Sequence, residues 1–250
     1  MAAFKVLSID WDYFVDCPID FKMTNFPDGG NENLPDSILD QVWMTRYGQC
    51  SKLKDVKLDT KELVKLRILL KNIVFPTTMV VIADSHKDIY QYLKEFRKTK
   101  LPMELYNIDF HHDVYDFQED AVDCGNWLRM LMRDGNSHEQ DKFTWVRRED
   151  SDLSRYESIN DGSVVGIPSD IQMTPFQLVF LCRSGVWSPP HLDKEFLSLC
   201  RFINKLNNKT AVIDTKVTRS RYNRQFKDNA EQYADTVKKI MEDCKNQNQD

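Results

Sequence analysis

The sequence predicts an α/β protein, a three-layer sandwich built on a mostly parallel central sheet. Three short apolar runs rich in β-formers stop abruptly at acidic residues or histidine: Phe4 to Ile9 before Asp10, Met79 to Ile82 before Asp84 and His86, and Leu105 to Ile108 before Asp109. Unbroken apolar runs of this length suit strands buried on both faces. The segments between them carry helical periodicity, and alternation of strand, helix and strand points to a parallel sheet covered by helices.

Taken in chain order, Thr60 can cap a helix that puts Leu63, Leu66, Leu70 and Ile73 on one face. His86 opens a second helix with Ile89, Leu93 and Phe96 inward. Further strands are expected at Ser163 to Ile167, Gln177 to Cys182 and Ala211 to Ile213, and amphipathic helices at Asp193 to Leu206 and Arg224 to Glu242. Segments 16–34 and 133–162 read as loops, the first from its prolines and glycines and the second from its polar and charged content.

At 250 residues with 41% hydrophobic content, the chain can bury a substantial core, and a single domain over residues 1–250 is expected. Its 34 basic and 39 acidic side chains give a net charge of −5, which offers no global basic field to nucleic acid or an anionic membrane. Six cysteines without CxxC spacing read as free thiols. The first apolar run is too short for a signal-peptide core or a membrane span, so a cytoplasmic protein is expected.

The chemistry gathers where the strands end. Asp10-Trp11-Asp12 is an Asp-x-Asp at a strand's carboxyl end; residues two apart in an extended segment face the same way, although an Asx turn leaving the sheet would look the same. Asp109-Phe110-His111-His112-Asp113 repeats Asp, His and Asp at alternate positions, which puts three candidate ligands on one side and turns His112 away toward packing. His86 sits just past a third strand. In open parallel sheets functional groups collect outside the carboxyl ends of strands, so the three clusters should meet at one edge. Two histidines and four carboxylates with no thiolate suit manganese or magnesium better than structural zinc, and manganese is favoured. Four carboxylates can bridge two divalent ions roughly 3.5–4 Å apart and acidify a shared water, which implies hydrolysis.

These segments resemble the ureohydrolase superfamily, whose arginase-like members bind two manganese ions through an Asp-x-His-x-Asp segment, an Asp-x-Asp segment and one further histidine. The resemblance implies that Asp109 and Asp10 bridge the metals, that His86 and Asp113 serve one ion, and that His111 and Asp12 serve the other. Ordinary arginases place Asp-x-Asp late in the chain, whereas here it comes first, as circular permutation of the sheet would produce. The chain is thus similar to a rearranged branch that includes peptide arginases, which convert arginine to ornithine within ribosomally made peptides. An arginine-containing peptide is then the implied substrate, urea the second product, and Asp113 a catalytic carboxylate as well as a ligand.

Asn126 and Trp127 are candidates for lining the substrate pocket; the other reading of Asp123-Cys124-Gly125-Asn126-Trp127 is a helix start with Trp127 and Leu128 in the core. His191, in the rigid Trp187-Ser188-Pro189-Pro190-His191 loop, is the first candidate for a proton shuttle. Competing readings are a haloacid-dehalogenase-type phosphatase using Asp-x-Asp with one magnesium, a single-zinc deacetylase-like amidase, and a metal-stabilised peptide-binding module without activity.

Overall fold

Seven strands pair in parallel throughout. The structure, a computed structural model, describes residues 3–26, 36–116, 121–134, 138–151, 153, 161–169, 171, 174–207, 212–214 and 220–247. The main sheet comprises β1 (Phe4–Asp10), β4 (Met79–Ala83), β5 (Met103–Ile108), β6 (Lys142–Arg147), β7 (Asp161–Val165), β8 (Leu178–Cys182) and β9 (Val212–Asp214), in spatial order β7-β6-β5-β1-β8-β4-β9. A separate antiparallel pair joins β2 (Val15–Asp16) to β3 (Lys57–Leu58).

Alternation along the central strands splits the core into two layers. Leu7, Ile9, Val80, Ile82, Val179 and Leu181 face one way, against α3 (Thr60–Ile73) and α6 (Asp193–Leu206). Val6, Val81, Ala83, Leu178 and Phe180 face the other, against α4 (Ile89–Arg97) and α5 (Trp127–Arg133). Side chains two apart on a strand share a face, so near-continuous apolar strands need helices on both sides. The sequence therefore folds as an α/β layered structure for the reason its apolar runs suggest. A third cluster unites α2 (Asp36–Gln49) and α7 (Arg224–Gln247) with Val15, Val186 and Leu192, close to where β1 and β8 end.

Three local expectations need correction. Asp59, not Thr60, caps α3, its carboxylate accepting from the N–H groups of Lys61 and Glu62. The expected loop 16–34 contains α1 (Ile19–Asn25), and residues 27–34 lie outside the described residues. The expected loop 133–162 contains β6, with Phe143, Trp145 and Val146 buried between charged neighbours. Its alternation spans only six residues amid polar sequence, and its place beside β5 rather than its composition makes it a strand. No disulfide joins the described cysteines, and no described helix is long and apolar enough to cross a membrane.

Candidate metal centre

Each of the three strands β1, β4 and β5 ends at the same sheet edge, with β8 lying between β1 and β4. Asp10 is the last residue of β1. Its Oδ1 accepts the Asp12 N–H at 3.0 Å and starts a 3-10 turn over Trp11–Phe14, while its Oδ2 lies 3.2 Å from His86 Nδ1. The Asx turn and the ligand reading thus coexist on different oxygens of one carboxylate. Because Asp12 belongs to that turn, it faces a different position from Asp10.

His86 stands at the start of the turn into α4, stacked 9° from coplanar with Phe180 of β8 and against Trp127. Ser8 Oγ holds its Nε2 at 2.6 Å, which fixes Nε2 as the hydrogen-bonded nitrogen and leaves Nδ1 toward the site. Nδ1 then faces carboxylate oxygens of Asp109 at 3.0 Å, Asp10 at 3.2 Å and Asp113 at 3.2 Å. Neighbouring ligands of an octahedral ion with bonds of about 2.1 Å lie about 3.0 Å apart, so this spacing matches one coordination shell.

Beyond Ile108 the chain leaves the sheet, and the convergence of Asp109, His111 and Asp113 comes from bends rather than from strand alternation. Asp113 takes a positive φ of 57°, a left-handed conformation that asparagine and aspartate tolerate best. That turn brings its Oδ2 to Trp127 Nε1 at 2.6 Å and Asn107 Nδ2 at 3.1 Å, and its carbonyl to the Leu128 N–H. Asp109 Oδ2 faces His86, whereas Oδ1 accepts the His111 N–H at 2.7 Å. His111 Nδ1 lies 3.1 Å from Asp12 Oδ2 and 3.8 Å from Asp109 Oδ1.

Two groups able to hold a metal ion result, Asp10 with His86 and Asp109, and Asp12 with Asp109 and His111. Asp109 belongs to both. The fit is supported by an orphaned atom, Asp12 Oδ1 in the second group, which is buried without a hydrogen-bond partner among the described residues, and by His86 Nδ1 in the first, which is crowded by carboxylate oxygens. A buried polar atom left unpaired is costly, and a cation would satisfy it. Burial opposes charge on His86, yet Asp113, Asp10 and Asp109 outweigh it and hold its pKa well above the usual value. Burial likewise opposes charge on His111, and Asp12 and Asp109 lift its pKa to about 9. Burial and neighbouring carboxylates push Asp10 and Asp113 up, while His86 and His111 overcome burial and hold Asp109 down. Protons thus sit where cations would.

The remaining expected site residues have other places. His112 packs against Tyr115 and Trp145, its Nδ1 accepting the Val114 N–H. Asn126 is buried, its side-chain oxygen accepting the Asp123 N–H and its amino group donating to the Ala121 carbonyl, so it holds a turn. Trp127 is also fully buried, against His86 and with its indole N–H donating to Asp113. His191 meets the Val56 carbonyl through Nε2 at 2.8 Å and the Tyr47 hydroxyl through Nδ1, so both ring nitrogens are hydrogen-bonded to groups outside the two ligand groups. The same loop reaches the centre through Trp187, whose ring lies 4.9 Å from His111. That loop is anchored by Arg221, which ion-pairs with Asp193 at 2.8 Å and donates to the carbonyls of Gly185 and Ser188.

Sequence reasoning missed Ser8, Asn107, Trp187 and Lys22. The first two carried a signal: each is a polar residue two positions before a ligand, on the same face of an otherwise apolar strand. Lys22 of α1 is 3% exposed, with its Nζ 3.7 Å from the Phe110 ring centre and no hydrogen-bond acceptor among the described residues. A cation over an aromatic face gains about 2 kcal/mol when desolvated, less than the several kcal/mol that burying an ammonium costs. Beside Tyr13 a cavity of about 480 Å³ opens, lined also by Asp59, Glu62, Arg148, Asp150 and Gly166; no residue of the two ligand groups lines it.

No protein-family model, curated protein or solved structure matches this chain.

Proposed function

We propose that this chain is a metal-dependent hydrolase of C–N bonds working with two manganese ions, and that it converts arginine within a peptide to ornithine and urea. The observation that carries the two-ion reading is Asp109, whose two oxygens face two histidine-containing ligand groups, as a bridging carboxylate requires. The substrate rests on the resemblance of Asp10-Trp11-Asp12, His86 and Asp109-Phe110-His111-His112-Asp113 to the arginase-like ligand segments.

Asp10, His86, Asp109 and Asp113 would hold one ion, and Asp12, His111 and Asp109 the other. Bound divalent ions supply a water acidic enough to be hydroxide near neutral pH. Ser8 fixes the His86 tautomer and Trp127 with Asn107 orients Asp113, so the chain's own work is to hold the ligands rigid. The neighbouring cavity, with Asp59, Glu62, Glu149 and Asp150 against one Arg148, has an acidic surplus that favours a cationic peptide. A phosphatase using only Asp10 and Asp12 leaves the convergence of His86, His111 and Asp113 without a purpose.

The test is to incubate the manganese-loaded full chain with arginine-containing peptides and follow peptide mass and urea. Ornithine-containing product is expected, formed only with metal, and faster from peptide than from free arginine. Absence of metal-dependent conversion across a varied peptide set would remove the arginase reading; equal rates with free arginine would remove the peptide.

A further inference from the structure

Of the six proposed ligands, one meets solvent appreciably. The side chains of Asp10, Asp12, His86, Asp109 and Asp113 are each no more than 4% exposed, whereas that of His111 is 20% exposed. A substrate therefore approaches the centre across the His111 ring. Trp187 stands beside it, partly exposed, with its ring centre 4.9 Å away and tilted by 50°. The loop carrying Trp187 is pinned by Arg221, which donates to the Gly185 and Ser188 carbonyls on either side.

Among the described residues, the hydrogen bonds of His111 and Trp187 are made by their backbone N–H groups, which leaves His111 Nε2 and the indole N–H without an acceptor. An indole nitrogen only donates, and an imidazole that binds metal through Nδ1 carries its proton on Nε2. The outer N–H of a histidine ligand almost always donates to a carboxylate, a carbonyl or water. Ser8 partners the outer nitrogen of His86, but no described residue does so for His111. The exposed side of the centre thus offers two donors and awaits acceptors. We infer that His111 Nε2–H and the Trp187 indole N–H donate to main-chain carbonyl oxygens of the substrate peptide, with the Trp187 ring against the stem of the entering side chain. This rests on the peptide-arginase reading and adds to it how a peptide is told from a bare alkylguanidine. Trp187 is on this view a substrate-positioning residue.

Two probes that resemble the product test it: N-acetyl-ornithine N-methylamide, which has both flanking carbonyls, and n-butylamine, the same cationic chain without them. Each is titrated calorimetrically into the manganese-loaded full chain, and peptide conversion is followed separately. The amide should bind about tenfold more tightly than butylamine, as two net hydrogen bonds allow. Trp187→Phe keeps an aromatic ring and deletes the donor. It should lose amide affinity about fivefold, with butylamine affinity and manganese stoichiometry unchanged. Trp187→Leu should weaken both probes, and it serves if the phenylalanine variant melts early. Equal amide affinity in wild type and variant, no preference for the amide in wild type, or loss of manganese from the variant overturns the role of Trp187, while peptide conversion by wild type keeps the metal-centre reading standing. Absence of both conversion and manganese binding in wild type overturns the two together.

Discussion

Asp109 is the side chain on which both ligand groups depend, since one oxygen serves each. Asp109→Ala should therefore abolish activity and remove both metals instead of one, which metal analysis of the purified variant would report. His112→Ala is the contrast. That ring is buried against Tyr115 and Trp145, so its loss should cost roughly 2–5 kcal/mol of stability, as large-to-small changes in a core do, with metal stoichiometry preserved. The two candidate histidine ligands add a pH signature. His111 has its pKa raised from 6.5 to about 9 without metal, and His86 is raised in the same sense. A raised pKa contributes stability that is complete below the unfolded value and is lost as pH rises through the folded one. Chelator-treated protein should thus become less stable between pH 6.5 and about 9. Metal must displace the same protons, so manganese affinity should grow over that range. Thermal unfolding with and without manganese checks both signs, and parallel pH trends for the two forms would contradict the assignment.

The elements act as brackets for these groups. Strands β1, β4 and β5 bring Asp10, His86 and Asp109 to one edge, and α5 docks Trp127 beneath His86 so that its indole N–H reaches Asp113 at 2.6 Å. Trp127→Phe keeps most of the packing and deletes that donor. Loss of a hydrogen bond that orients a ligand typically weakens metal binding 10- to 100-fold. Calorimetry should show such a decline with little change in secondary structure; undiminished manganese affinity would mean that Asn107 alone orients Asp113. On the other side, α2, α7 and the Arg221–Asp193 ion pair fix the loop carrying Trp187 against His111. A helical cap remote in sequence thereby packs a ring against His111.

Across the folded chain, the proposed centre would couple metal to stability. Asp10, Asp12, Asp109 and Asp113 are each no more than 3% exposed as whole residues. Without cations they rely on shared protons and two imidazolium rings. Metal binds the folded site and hardly the unfolded chain, so free manganese at about 100 times its dissociation constant adds roughly 2.7 kcal/mol per independent site. For a chain of this size, that corresponds to about 5–10 °C in Tm per site. Chelation should lower the melting temperature accordingly, and manganese should restore it better than magnesium or calcium. Identical melting with chelator and with excess manganese at neutral pH would sink the two-metal reading.

Short-range information made the strands and the ligands legible. An apolar run cut off by aspartate or histidine reports both a buried strand and the point where it meets solvent, and every such cut identified here, at Asp10, at His86 and at Asp109, lies at the shared edge. Six residues of alternating Lys142–Arg147 amid polar sequence were too weak a signal for β6, which forms because β5 offers it an edge. Asp113 was found for a reason that does not hold: strand alternation ends at Ile108, and a left-handed turn does the work. Partnerships across the chain were not readable. Ser8 and His86 are 78 positions apart, and Tyr47 and His191 are 144 apart. Residue type and spacing tell which groups can coordinate or donate. Which of them meet, and whether a ring such as His191 keeps a free nitrogen, depends on the packing of distant segments, because a hydrogen bond is decided by an ångström of position that no local pattern encodes.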